Sequence, residues 1–138
     1  MSTRACVHFM QNGGAEAKIY RHSDGYPEGL GQDLLVFLNE LKDNVHDNRF
    51  TDAGYLAAKW VDRDATFNRQ YANGEPHDLN FLGVGVVAED PGDIEYRYEV
   101  LCDDFDEDGL PKIMMYDIYT GVTLNLGKCL NDGVLTSG

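Results

Sequence analysis

The sequence predicts an α+β domain, an antiparallel sheet of about five to six strands with two helices packed on one face in the order ββααββββ. Three observations predict it. Two alternating segments flank Asn12-Gly13-Gly14, a hairpin turn in which Asn and Gly accept positive φ cheaply. Leu34, Phe37, Leu38 and Leu41 form one helical stripe at i, i+3, i+4 and i+7. The last third of the chain alternates apolar and polar residues between turn signals.

Residues 3–11 read as the first strand, with Cys6, His8 and Met10 on one face and Ala5, Val7 and Phe9 on the other. Residues 15–22 return as its hairpin partner. The first helix runs from about Gln32 to Asn44, with Gln32, Asn39, Glu40, Asp43 and a lone Val36 facing water. Residues 43–49 connect to a second helix that begins near Thr51-Asp52, with Thr51 as the cap. Leu56, Trp60 and Phe67 give that helix its core face, and it ends before Asn73-Gly74-Glu75-Pro76. Residues 79–87 read as a central strand whose Gly83 and Gly85 admit a close backbone approach. Asp90-Pro91-Gly92-Asp93 is a turn. Residues 94–101 alternate Ile94, Tyr96, Tyr98 and Val100 against Glu95, Arg97 and Glu99, a strand with one wet face on which Arg97 forms a cross-strand ion pair. Further strands follow at 112–119 and 122–126. Residues 1–130 form one domain, and 131–138 a flexible tail.

Composition bounds the function. The 138 residues are enough to bury a core, and 43% hydrophobic content is that of a globular chain. No apolar run reaches the roughly 20 residues of a membrane span. The first residues lack the apolar core of a signal peptide, so a cytoplasmic location is expected. Cys6, Cys102 and Cys129 are too widely spaced for a Cys-x-x-Cys motif and read as reduced, mostly buried thiols; no metal and no cofactor is expected. The net charge of −13 argues against direct nucleic-acid binding and against attachment to anionic lipid. Between Glu89 and Asp117 lie eleven acids and only Arg97 and Lys112 as bases. That segment could itself meet a basic protein.

The densest chemistry is Tyr20-Arg21-His22-Ser23-Asp24-Gly25-Tyr26-Pro27-Glu28-Gly29. A turn needs Gly, Pro or Asp; it does not need an Arg-His pair and two tyrosines. As a ligand site, Arg21 would engage phosphate or carboxylate, and Tyr20 or Tyr26 would stack on a ring. His22 and Asp24 would fix polar edges, and Gly25 would let a backbone amide approach an anion. As a structural loop, Asp24 would form an Asx-turn, Tyr26 and Pro27 would pack on the core, and Arg21 would pair with Asp24. Both readings stand at this level.

Asp104-Phe105-Asp106-Glu107-Asp108-Gly109 matches the first half of a calcium loop, but Met115 stands where the bidentate Glu belongs. It reads as a solvated acidic turn. No nucleophile elbow, phosphate-binding loop or His-Glu-x-x-His motif is present, so the chain does not read as an enzyme.

The run from Tyr20 to Pro27, with Gly29 and the Leu-rich helix that follows, resembles a family of small bacterial, prophage and phage proteins of unassigned function with a YRHxDGYP signature. Tyr55-Leu56-Ala57-Ala58-Lys59 and the run from Gly92 to Val100 are similar to that family's pattern as well. The resemblance implies a phage-associated accessory protein, placed in the host cytoplasm if phage-encoded, that acts against host defence. Three functions are then open. The first is a non-enzymatic, homo-oligomeric protein that sequesters a small anionic or nucleotide-like ligand on Tyr20, Arg21, His22, Asp24, Gly25 and Tyr26. The second is an acidic inhibitor that occludes a nucleic-acid-binding defence effector, a basic host protein. The third is a structural or regulatory domain with no ligand.

Overall fold

The computed structural model describes residues 3–44, 46–71 and 83–126. Strands β1 (Ala5–Gln11) and β2 (Gly14–Arg21) form the expected hairpin. A π-helical turn, Pro27–Gly31, runs directly into α1 (Gln32–Asn44), and α2 (Ala53–Tyr71) follows. Strands β3 (Val84–Val86), β4 (Tyr96–Phe105), β5 (Pro111–Asp117) and β6 (Thr123–Asn125) complete a six-stranded sheet of order β3-β2-β1-β4-β5-β6.

The sheet is mixed, which corrects the expectation of a wholly antiparallel one. β1 and β4 run parallel, with Val7 opposite Tyr98 and Phe9 opposite Val100, while every other pair is antiparallel. Alternation along a strand tells which side chains share a face and is silent on the direction of the neighbour. β3 is also corrected. It is a three-residue strand at the edge of the sheet, not a central one. Residues 79–82 of that expected strand, like Cys129 and the tail at 131–138, lie outside the described residues.

Both helices pack on the face that carries Ala5, Val7 and Phe9. Leu34, Phe37, Leu38 and Leu41 of α1 and Leu56, Ala57 and Trp60 of α2 join these residues with Tyr98, Val100 and Ile113 in one core. The rings of Phe37 and Trp60 meet edge to face at 5.3 Å, an arrangement that aromatic quadrupoles favour. α2 is capped by Asp52, whose Oδ1 accepts from the Tyr55 amide, and by Gln11, whose Oε1 accepts from the Ala53 amide. Thr51, the expected cap, instead offers its carbonyl to Gln11. Phe67 departs from the expected core face and is 52% exposed.

The chain between β3 and β4 passes across the opposite face of the sheet. Asp90 sits there against His8, and Asp93 pairs with Arg4. This crossing lets a chain that has just paired with β2 arrive on the far side of β1. Arg97, on that face, pairs with Glu99 of its own strand at 3.6 Å and lies over the Tyr116 ring; among the described residues it makes no cross-strand ion pair, contrary to expectation. Among the described residues no helix is long and apolar enough to cross a membrane.

Candidate functional site

The strand periodicity divides the motif. Tyr20 lies opposite Cys6 and Gly85 in the sheet, whereas Arg21 lies opposite Ala5 and Val84. Neighbours across a sheet share a face. Tyr20 therefore points away from the helices, and its hydroxyl lies 3.0 Å from Nδ1 of His22. Arg21 points toward the helices and is 7% exposed. The six residues expected to form one site do not converge.

Much of the loop is explained by the turn itself. Asp24 adopts φ 55, a left-handed conformation that Asp tolerates better than most residues. Its carbonyl accepts from the Leu30 amide at 2.8 Å and so anchors the π-helical turn. Its Oδ1 accepts from the Tyr26 hydroxyl at 3.2 Å. Pro27 is buried, but Tyr26 is exposed and does not pack on the core. Gly25 does not offer its amide to an anion: that amide donates to the Thr3 carbonyl at 2.9 Å. A Cβ at Gly25 would meet Ala5 Cβ at 2.7 Å, so glycine is needed there for close packing. The buried Tyr98 hydroxyl donates to the Gly25 carbonyl at 2.6 Å.

Arg21 is the residue with an unexpected setting. Its Nε donates to the Ser23 carbonyl at 3.0 Å, and its Nη1 donates to Asp33 at 2.9 Å and lies 3.4 Å from Oδ1 of Asp64. The expected partner, Asp24, does not take it. Asp33 opens α1, and Asp64 is on the inner face of α2 at 3% exposure. Burial pushes the Asp64 carboxyl up to about 6, against the pull of the Arg21 guanidinium. Oδ2 of Asp64 is buried and has no hydrogen-bond partner among the described residues. A buried carboxyl oxygen left in this state is costly, and such groups concentrate at sites that bind or react.

A cleft of about 350 Å³ lies over this network, between the end of β2 and the two helices. Arg21, Asp33 and Asp64 line it, with Ser23 and Asp24 from the motif loop. Arg63 and Phe67 of α2 add a second guanidinium and an exposed ring, 4.6 Å from each other. Arg63 is also held by Glu40 of α1 at 3.2 Å. Phe67 lies three and four residues beyond Asp64 and Arg63, the spacings at which side chains meet on a helix surface, and all three line the cleft. The cleft thus combines two guanidiniums, the three carboxyls of Asp24, Asp33 and Asp64, and an aromatic face. Of the six expected residues it contains Arg21 and Asp24. Asp33, Arg63, Asp64 and Phe67 were missed. The available signal was Asp64 itself, an acid on the same helical side as Leu56, Ala57 and Trp60.

The acidic turn after β4 does not gather its carboxylates. Oδ1 of Asp106 accepts from the amides of Asp108 and Leu110, Asp104 pairs with Lys112, and Asp103 accepts from the Asn12 amide.

Compared with protein-family models, with curated proteins and with solved structures, the chain gives no match.

Proposed function

We propose that this protein is a non-enzymatic binder that holds a small nucleotide-like ligand in the cleft between the motif loop and the two helices. The observation that carries the reading is Asp64: a buried carboxyl with one unpartnered oxygen, beside a guanidinium already fixed by Asp33. A heterocycle with an N–H edge supplies the donor that Asp64 lacks. Phe67 offers the ring face, and Arg63 offers charge to a phosphate. The ligand site moves accordingly from Tyr20, His22 and Tyr26 to Arg21, Arg63, Asp64 and Phe67. The resemblance to phage-associated accessory proteins favours sequestration of a nucleotide signal over metabolism of it.

The test is a thermal-shift survey of the purified protein against nucleotides, cyclic dinucleotides and ADP-ribose-type compounds. A ligand should raise the Tm of wild type and lose its effect in Asp64→Asn and Arg63→Ala. A panel without any shift, or equal shifts in wild type and Asp64→Asn, would sink the reading.

The acidic-inhibitor reading has one observation in its favour. Asp103, Asp104, Glu107 and Asp108 are all exposed around the β4–β5 turn, with Lys112 beside them. It predicts capture of a basic host protein that weakens steeply with salt and fails on charge reversal at those four positions.

A further inference from the structure

On the face of the sheet away from the helices, Cys6, His8 and Asp90 bring a thiol sulfur, an imidazole nitrogen and a carboxylate oxygen within 4.8 Å of one another. Cys6 and His8 are two apart on β1, so the pleat aims both at the same face. Asp90 comes from the segment that crosses this face, and its Oδ1 lies 2.6 Å from Nε2 of His8. Cys6 is 0% and His8 8% exposed, so both side chains are already desolvated and held.

We propose that Cys6, His8 and Asp90 bind one divalent transition-metal ion of the zinc type, clasping the β3–β4 crossing to the central strand. Zinc takes sulfur, nitrogen and carboxylate oxygen in a tetrahedron whose ligand atoms stand about 3.5 Å apart, given bond lengths near 2.0–2.3 Å. A modest opening of the His8–Asp90 contact creates that space. The sulfur and imidazole donors select zinc, cobalt or copper over magnesium and calcium. Three protein ligands leave one position for water. On binding, the Cys6 thiol loses its proton to solvent and the sulfur bonds the metal as thiolate. Lys18 and Arg97 flank the cluster with positive charge, which the two anionic ligands offset.

The same residues do not make a nucleophile. Burial raises the Cys6 thiol above its ordinary range, which disfavours the thiolate that a nucleophile needs. The bland alternative is a latch in which hydrogen bonds alone pin Asp90 to the sheet.

Metal titration of the full chain separates the two. Cobalt chloride should give a thiolate-to-cobalt charge-transfer band, and zinc chloride should raise the Tm. Cys6→Ser should abolish the band. Asp90→Asn, which keeps the side chain's size and one acceptor oxygen, should weaken cobalt affinity by about tenfold or more. Absence of the band in wild type would overturn the site. So would zinc stabilisation that persists undiminished in Cys6→Ser and Asp90→Asn.

Discussion

Asp64 and Arg21 meet 3.4 Å apart beneath the motif loop, and each is almost fully buried. Desolvation outweighs the guanidinium and holds the Asp64 carboxyl at about 6, above its ordinary 3.8. A carboxyl raised by folding stabilises the fold while protonated. That contribution is fully present below pH 3.8 and is lost as pH climbs through about 6. Asp64→Asn should therefore gain on wild type across this window, by at most about 3 kcal/mol. Denaturation of both proteins at pH 4 and pH 7 checks it; a difference that does not change with pH would refute the assignment. Asp90, whose pKa falls because His8 and Cys6 hydrogen bonds overcome its burial, tilts both proteins equally the other way.

Tyr98→Phe should destabilise the protein by about 1–3 kcal/mol, because the buried Gly25 carbonyl loses the hydroxyl that satisfies it. The ring stays in place, so core packing is unaffected. Urea denaturation should show a lower midpoint with an unchanged slope.

Gly25→Ala should cost about 1–3 kcal/mol for a single methyl group. The new carbon would press on Ala5 Cβ and the Thr3 carbonyl, which are strand and backbone and have no way to swing aside. Gly54→Ala, where a Cβ meets nothing within 4 Å inside α2, should be neutral or stabilising. Thermal melts of the pair discriminate packing from a general intolerance of glycine loss.

Asp106→Ala should lower stability by about 1 kcal/mol, because two turn amides lose their acceptor. Asp108→Ala, on the same turn and exposed, should fall within about 0.5 kcal/mol of wild type. Calcium should leave the Tm of all three proteins unchanged.

Local pattern reads well in this chain and long-range arrangement does not. The stripe of Leu34, Phe37, Leu38 and Leu41 is buried as its spacing requires, with Val36 left exposed. The hairpin at Asn12-Gly13 forms with both residues at positive φ. The parallel register of β1 with β4 was not legible, because it depends on where a crossing segment returns. The candidate site was legible only at Arg21 and Asp24. Its other members come from α1 and α2: Asp33 and Arg63 read as solvent-facing charges and Phe67 as core, and only docking the helices brings them to Asp64. Cys6, His8 and Asp90 escaped for the same reason, since the third residue is 82 positions from the second.

The position of β1 between β2 and β4 has a consequence for synthesis. The ribosome delivers this strand well before β4, and its hairpin partner arrives at once. Its other edge has no partner until residues 96–105 emerge. Throughout that interval a nascent chain shows an open row of unpaired β1 backbone groups, with Val7 and Phe9 on the adjoining face, a template for pairing with another chain. Any fragment that stops before residue 96 keeps that edge permanently, and should be captured by chaperones or aggregate where the full chain folds.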